Sequence, residues 1–232
     1  MTRAGGTPAG ARQAGVTRGS GAPAPDQRRL KYRVVQAALR LGARLLFGYK
    51  VCGLEHVPLT GPCLFAANHK SYLDPPLLGA CLPREIRYFA KKELFKVPLL
   101  GPLIRVYGAI PVDREGFDRK GLATALELLS RGEWLLVFPE GTRIRRPGLA
   151  QPKEGVGLLA VRTGAPVVPA YLSSTWEPRR RLWRRIPIRI RFGAPLRFDQ
   201  GERGAEARGR YRDAAAAVLD AVRELGATEI QD

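Results

Sequence analysis

The segment Asn68-His69-Lys70-Ser71-Tyr72-Leu73-Asp74 sets an imidazole and a carboxylate five residues apart. It follows the apolar run Cys63–Ala67 and precedes Pro75-Pro76-Leu77-Leu78, so it reads as a strand-to-helix turn, where catalytic groups are commonly displayed. On one regular helix, residues five apart point roughly 140° away from each other and do not meet. In a turn the chain can fold back. The carboxylate then accepts from one ring nitrogen and fixes the tautomer, leaving the other nitrogen as a general base. Each residue also has a plainer reading. Asp before Pro is a good helix N-cap. Its two oxygens allow capping and orienting together. His69 by itself reads equally well as a hydrogen-bonded structural histidine. The chain has one other histidine, His56, in Gly53-Leu54-Glu55-His56-Val57-Pro58, which reads as a surface loop residue without a comparable partner.

Two further clusters carry polar chemistry at the ends of apolar runs. Phe138-Pro139-Glu140-Gly141-Thr142-Arg143 follows Trp134–Phe138. Its glycine lets the backbone approach a ligand, Thr142 offers a hydroxyl, and Arg143 offers a planar fork suited to phosphate. A charged surface loop is the alternative. Gly108-Ala109-Ile110-Pro111-Val112-Asp113-Arg114 delivers an acid–base pair to the end of a short apolar strand, for which a surface salt bridge is the default.

The elements that position these clusters alternate. Strands are expected at Tyr49–Leu54, Cys63–Ala67, Ile86–Ala90, Ala109–Val112, Trp134–Phe138, Val167–Leu172 and Ile186–Phe192. Helices are expected at Pro75–Cys81, Lys92–Val106, Gly116–Arg131, Gly155–Thr163 and Ala205–Leu225, with Pro98 and Pro102 placed to break the second of them. Such alternation argues an α/β sandwich. Residues 30–49 read as a helix with Arg33, Gln36, Arg40 and Arg44 in one arc and Val34, Val35, Ala38, Leu39, Leu41, Leu45 and Leu46 opposite. That pattern fits a helix packed on the domain core, or a basic amphipathic helix in a membrane interface. Residues 1–29, poor in large apolar side chains, read as a disordered basic tail.

The 232 residues carry a net charge of +18, and 31 of the 39 basic residues are Arg. This favours anionic partners: phosphate substrates, acidic lipids or nucleic acid. Three cysteines without a C-x-x-C pair argue against a disulfide scaffold or a zinc module and for a reducing compartment. The most apolar window, Leu30–Tyr49, is broken by Arg33, Arg40 and Arg44, so no spanning helix is expected. The first 25 residues lack the apolar region of a signal peptide. Gly155-Val156-Gly157-Leu158-Leu159-Ala160 matches a dinucleotide fingerprint but follows no strand. No G-x-S-x-G elbow, P-loop or His/Cys ligand cluster occurs, so no metal is indicated. Within 176–191, Trp176, Arg179–Arg181, Trp183, Arg184 and Arg185 form a basic and aromatic stretch suited to a membrane interface, or a solvated Arg-rich loop. Nucleic-acid binding would rest on charge and on that Arg/Trp stretch at 176–191. It leaves His69 and Asp74 without a role.

Taken in order, His69-x4-Asp74, Val112-Asp113-Arg114, Phe138–Arg143 and Val167-Val168-Pro169 resemble the motifs of the glycerolipid acyltransferases of the lysophosphatidate (1-acylglycerol-3-phosphate) type. The resemblance spans about residues 50–195. It departs at Ile144, where Ser is common, and at Pro152-Lys153-Glu154-Gly155, where Phe-Lys-x-Gly is common. It implies a single α/β domain over 50–232 with a mixed sheet flanked by helices. It implies that His69, held by Asp74, deprotonates an acceptor hydroxyl that attacks an acyl thioester directly. By the same resemblance, Arg114 and Arg143 hold the acceptor phosphate while Glu140, Gly141 and Thr142 shape that pocket, with Lys91 and Lys153 as further charges near the phosphate or donor. The implied partners are acyl-CoA or acyl carrier protein as co-substrate, a lysophospholipid acceptor and an anionic membrane surface. The implied location is peripheral, on the cytoplasmic face of the cell membrane, with no cofactor and no metal.

Overall fold

The computed structural model describes residues 27–113, 119–144, 148–173, 175, 187–201 and 207–227. Its centre is three strands that are apolar on both faces: β2 (Cys63–Ala67), β5 (Trp134–Val137) and β6 (Val167–Leu172). Strands read this way when helices cover both sides of a parallel sheet. They pair in parallel, Phe65 opposite Leu136 on one side and Val168 on the other. Beyond β5 lie β3 (Ile86–Lys91) and β4 (Ala109–Val112), also parallel. Beyond β6 lie β7 (Arg189–Phe192), antiparallel to it, and β1 (Lys50–Cys52), parallel to β7. The order β1-β7-β6-β2-β5-β3-β4 is therefore a mixed seven-stranded sheet among the described residues.

Side chains alternate across the strands. Phe65, Leu136 and Val168 enter one core, closed by α2 (Asp74–Cys81), by Tyr107 just after α3 (Leu100–Val106), and by Tyr32 of α1 (Gln27–Phe47). Leu64, Leu135 and Val167 enter the other, closed by α4 (Arg119–Ser130), α5 (Glu154–Thr163) and α6 (Ala207–Ala227). Gly157, from the rejected dinucleotide match, lies where α5 meets the α6 backbone at Tyr211 and Ala215. A Cβ there has no room.

β2, β3, β4 and β5 all run one way, so the segments after them emerge at one edge of the sheet. Ligand sites in open α/β sheets form at the carboxyl ends of strands. Three expectations change in detail. The segment Lys92–Val106 is not one helix. It is a 3₁₀ turn at Lys92–Lys96 and then α3, with the break at Pro98, whereas Pro102 lies in the first turn of α3, where a missing N–H is tolerated, and breaks nothing. Helix α1 begins at Gln27, inside the segment expected to be disordered, whose residues 1–26 lie outside the described residues. The third concerns which face of α1 packs inward. Gln36 Nε2 donates to the carbonyls of Gly79 and Leu82 and Arg40 Nε to that of Ala80, each at 2.8 Å. Tyr32 stacks on Tyr107 at 4.7 Å between ring centroids. The outward face holds Leu30, Val34, Leu41, Leu45 and Leu46, all exposed, Leu45 at 76%. The helix turns part of its polar arc inward because the carbonyls at the end of α2 lie beyond its regular ladder, that of Gly79 receiving only a long 3.4 Å bond from Leu82 N–H, and these must be satisfied. Among the described residues, no helix is long and apolar enough to cross a membrane.

Candidate active site

The turn after β2 closes its backbone onto Asp74. Oδ2 accepts from the backbone N–H of Lys70 and of Ser71, both at 2.7 Å, and from His69 Nδ1 at 2.8 Å. Oδ1 accepts from the Thr175 hydroxyl. A carboxylate only accepts, so Nδ1 carries the ring proton and Nε2 keeps the lone pair. Asp74 is fully buried, whereas His69 keeps 16% of its side chain exposed and lines a cavity of about 440 Å³. Of the two compatible roles, the geometry shows the orienting one. The carboxylate gathers the donors of its own turn and orients the ring, and no side chain caps α2. His56 stands apart, its Nδ1 3.1 Å from the Phe192 carbonyl.

The His69 ring is fixed on its face as well. It stacks on Phe138 with ring centroids 3.8 Å apart and planes 14° from parallel. Phe138 opens the turn after β5, which is bonded to the His69–Asp74 turn through Ile144 N–H and the His69 carbonyl at 2.8 Å. Asn68, fully buried, exchanges two bonds with the Leu172 backbone at 2.9 and 2.7 Å and ties the turn to the end of β6. A polar residue directly after a buried strand is a sequence signal that such a tie exists. Thr175, over 100 positions from Asp74, gave none.

The cavity brings together most of the residues singled out by type and spacing. Lys91, Gly141, Thr142, Arg143 and Lys153 line it with His69, so three cations are among its lining residues. Phe89, Leu94, Leu136 and Val156 form an apolar wall. Gly141 adopts φ 65°, in the left-handed region, and lies against the Lys153 stem so closely that a Cβ would collide with it. Asp113 also lines the cavity and pairs with Lys92 at 2.7 Å. Arg114 lies outside the described residues, as do Arg179–Arg181, Arg184, Arg185, Trp176 and Trp183.

Glu140 is not part of the cavity wall. It is 2% exposed, beneath the turn, and among the described residues its carboxylate oxygens accept no hydrogen bond of ordinary geometry. Burial pushes its pKa up to about 6, opposed by the Lys70 charge and by the backbone at His69 and Ala150. Between about pH 4.5 and 6 the folded chain therefore binds more protons at Glu140 than the unfolded chain does. This contribution to stability falls as pH rises through that window. Glu140→Gln removes the slope. Relative to wild type, the variant is expected to gain stability from pH 4.5 to pH 7 by about 2 kcal/mol, read from paired denaturation curves.

A mixed sheet with a buried-carboxylate-oriented histidine at the carboxyl ends of its parallel strands, opening on a mainly apolar cavity that also carries cations, suits group transfer between an anionic and an apolar reactant. The acyltransferase family model matches residues 48–173, and the chain belongs to that family. It is 32% identical over 166 residues to the 1-acyl-sn-glycerol-3-phosphate acyltransferase of Bacillus subtilis (strain 168), covering 71% of this chain and 82% of that one. It is 33% identical over 186 residues to the Pseudomonas aeruginosa protein of the same name, covering 75% and 71%. The crystal structure of the 1-acyl-sn-glycerophosphate (LPA) acyltransferase PlsC from Thermotoga maritima shares the fold, with TM-score 0.65 at 24% identity over 89% of this chain and 84% of that one.

Proposed function

We propose that this enzyme transfers a fatty acyl group from an acyl thioester to the free hydroxyl of lysophosphatidate, forming phosphatidate at the cytoplasmic face of the cell membrane. The observation that carries the reading is the cavity shared by the Asp74-oriented imidazole of His69, the guanidinium of Arg143 and an apolar wall. His69 Nε2 takes the proton of the acceptor hydroxyl as its oxygen attacks the thioester carbon. The tetrahedral intermediate collapses with cleavage of the C–S bond, and the imidazolium returns the proton to the thiolate. Asp74 holds the ring and faces the positive charge that forms on it. The acceptor phosphate lies toward Arg143, with Lys153 and Lys91 adding positive potential, and Thr142 offers a hydroxyl. Glu140 shapes this pocket from below rather than touching the substrate.

The outward face of α1 supports a membrane location. Each acyl CH₂ left in water costs about 0.8 kcal/mol, so an enzyme with a diacyl product gains by working on the bilayer. Leu30, Val34, Leu41 and Leu45 lie within one arc, with exposed Arg33 and Arg44 beside it, as an interfacial helix requires. The donor is acyl-CoA or acyl carrier protein. Glycerol 3-phosphate, another lysophospholipid and a lyso-amino-acid lipid are the alternative acceptors.

An acceptor panel tests the reading. Long-chain acyl-CoA and acyl carrier protein thioesters are offered with lysophosphatidate on anionic vesicles, glycerol 3-phosphate, a lyso-amino-acid lipid or monoacylglycerol. Phosphatidate is expected as the main product. Exclusive acylation of another acceptor would replace the proposed substrate. In the same assay Leu41→Asp/Leu45→Asp is expected to cut transfer to vesicle-borne acceptor at least tenfold and to leave the protein in the supernatant when vesicles are sedimented. Unchanged sedimentation would place the membrane contact elsewhere.

A further inference from the structure

Two spacer residues of the catalytic turn, Lys70 and Tyr72, have no part in the chemistry described above, yet both reach across to the turn that carries Arg143. The Arg143 guanidinium carbon lies 3.6 Å from the centre of the Tyr72 ring, a close cation–π contact. The Tyr72 ring is itself half exposed at the cavity mouth. From beneath, the buried Lys70 ammonium donates to the Gly148 carbonyl at 2.5 Å and is the main charge opposing the burial of Glu140. Residues 145–147 between Arg143 and Gly148 lie outside the described residues. Arg143 is thus flanked by the Tyr72 ring, and Gly148 is bonded to Lys70 of the same turn.

A long guanidinium arm loses rotamer freedom when it binds. A planar surface that holds it beforehand removes part of that cost and aims the fork. We infer that Tyr72 and Lys70 are positioning residues that tie Arg143 and Gly148 to the His69–Asp74 turn, and that they set the preference for an acceptor bearing a phosphate monoester. Tyr72 acts through the guanidinium, and Lys70 through the Gly148 carbonyl and the Glu140 charge. Neither touches the reacting atoms. The inference rests on the proposed function and names what selects its acceptor.

The test compares lysophosphatidate with monoacylglycerol, which lacks the phosphate, in wild type and variants. Tyr72→Leu is expected to raise KM for lysophosphatidate about 2- to 5-fold, the worth of a cation–π contact at a half-exposed site. The kcat/KM ratio of lysophosphatidate over monoacylglycerol falls to match, and KM for acyl-CoA does not follow. Tyr72→Phe, which keeps the ring face, restores wild-type behaviour. In an Arg143→Gln background Tyr72→Leu has no further effect on the ratio. Lys70→Met leaves Glu140 buried without its cation and can unfold the chain. The paired variant Lys70→Met/Glu140→Gln removes both charges and is expected to lower the same ratio, with Lys70→Arg as rescue. Equal losses with both acceptors, additive losses with Arg143→Gln, or a rise in acyl-CoA KM instead would overturn the positioning role. If wild type fails to acylate lysophosphatidate at all, the proposed function falls with it. An active wild type whose Tyr72→Leu form keeps its acceptor ratio sinks the positioning role alone.

Discussion

His69→Ala is expected to lower the rate of phosphatidate formation by about 10²- to 10⁴-fold, the usual range for a positioned general base, with little change in melting temperature. The hydroxyl of an acceptor lipid is a poor nucleophile until its proton is removed, and within the cavity the imidazole is oriented for this by Asp74. The chain's other histidine, His56, is bonded to the Phe192 carbonyl and does not line the cavity. Truncation at His69 leaves the turn's backbone bonds to Asp74 in place and removes a partly exposed ring stacked on Phe138, so the fold survives. Initial rates at saturating substrate check the prediction, with circular dichroism melts beside them. A variant within tenfold of wild type would remove His69 from the reaction.

Asp74→Asn is expected to cost nearly as much in kcat, again about 10²- to 10⁴-fold, and here the geometry says why. The Oδ2 position receives three donors, the two backbone N–H groups and His69 Nδ1, so an amide must place its oxygen there. Its NH₂ then faces Thr175, whose hydroxyl can accept as well as donate. The amide fits without leaving a donor stranded, so the ring stays in place. What disappears is the negative charge beside the imidazolium that forms as the proton is taken. In a buried site that charge is weakly screened. The expected signature is a loss in kcat with acceptor KM little changed. An equal loss of thermal stability and of acceptor affinity would mark Asp74 as a structural residue only.

How much of this was legible in sequence follows from what each feature depends on. β2, β4 and β6 appear with the boundaries read from their apolar runs, because turn-forming residues flank each run and both signals are local. The break before α3 was written in Pro98. The pairing of His69 with Asp74 was also local, since the turn between them supplies its own donors. The inward face of α1 was not legible. Gln36 and Arg40 point into the domain because of carbonyls at the end of α2, more than 39 positions away, which no hydrophobic pattern along α1 records. Glu140 reads as a pocket residue from its neighbours, and only the packed turn shows that it lies underneath. The contacts of Thr175 with Asp74, Lys70 with Gly148 and Tyr72 with Arg143 depend on β2, β5 and β6 ending at the same edge of the sheet. Strand order is a property of the assembled fold, so these partners become visible only there.

The most direct measurement is the product balance of one reaction: wild-type enzyme, long-chain acyl-CoA and vesicle-borne lysophosphatidate, with free thiol and lipid products followed together. Direct transfer requires one phosphatidate for each thiol released and no thiol release when lysophosphatidate is omitted. Thiol released at the same rate without acceptor, accompanied by free fatty acid and no phosphatidate, would contradict the account and show that the His69–Asp74 site serves water instead.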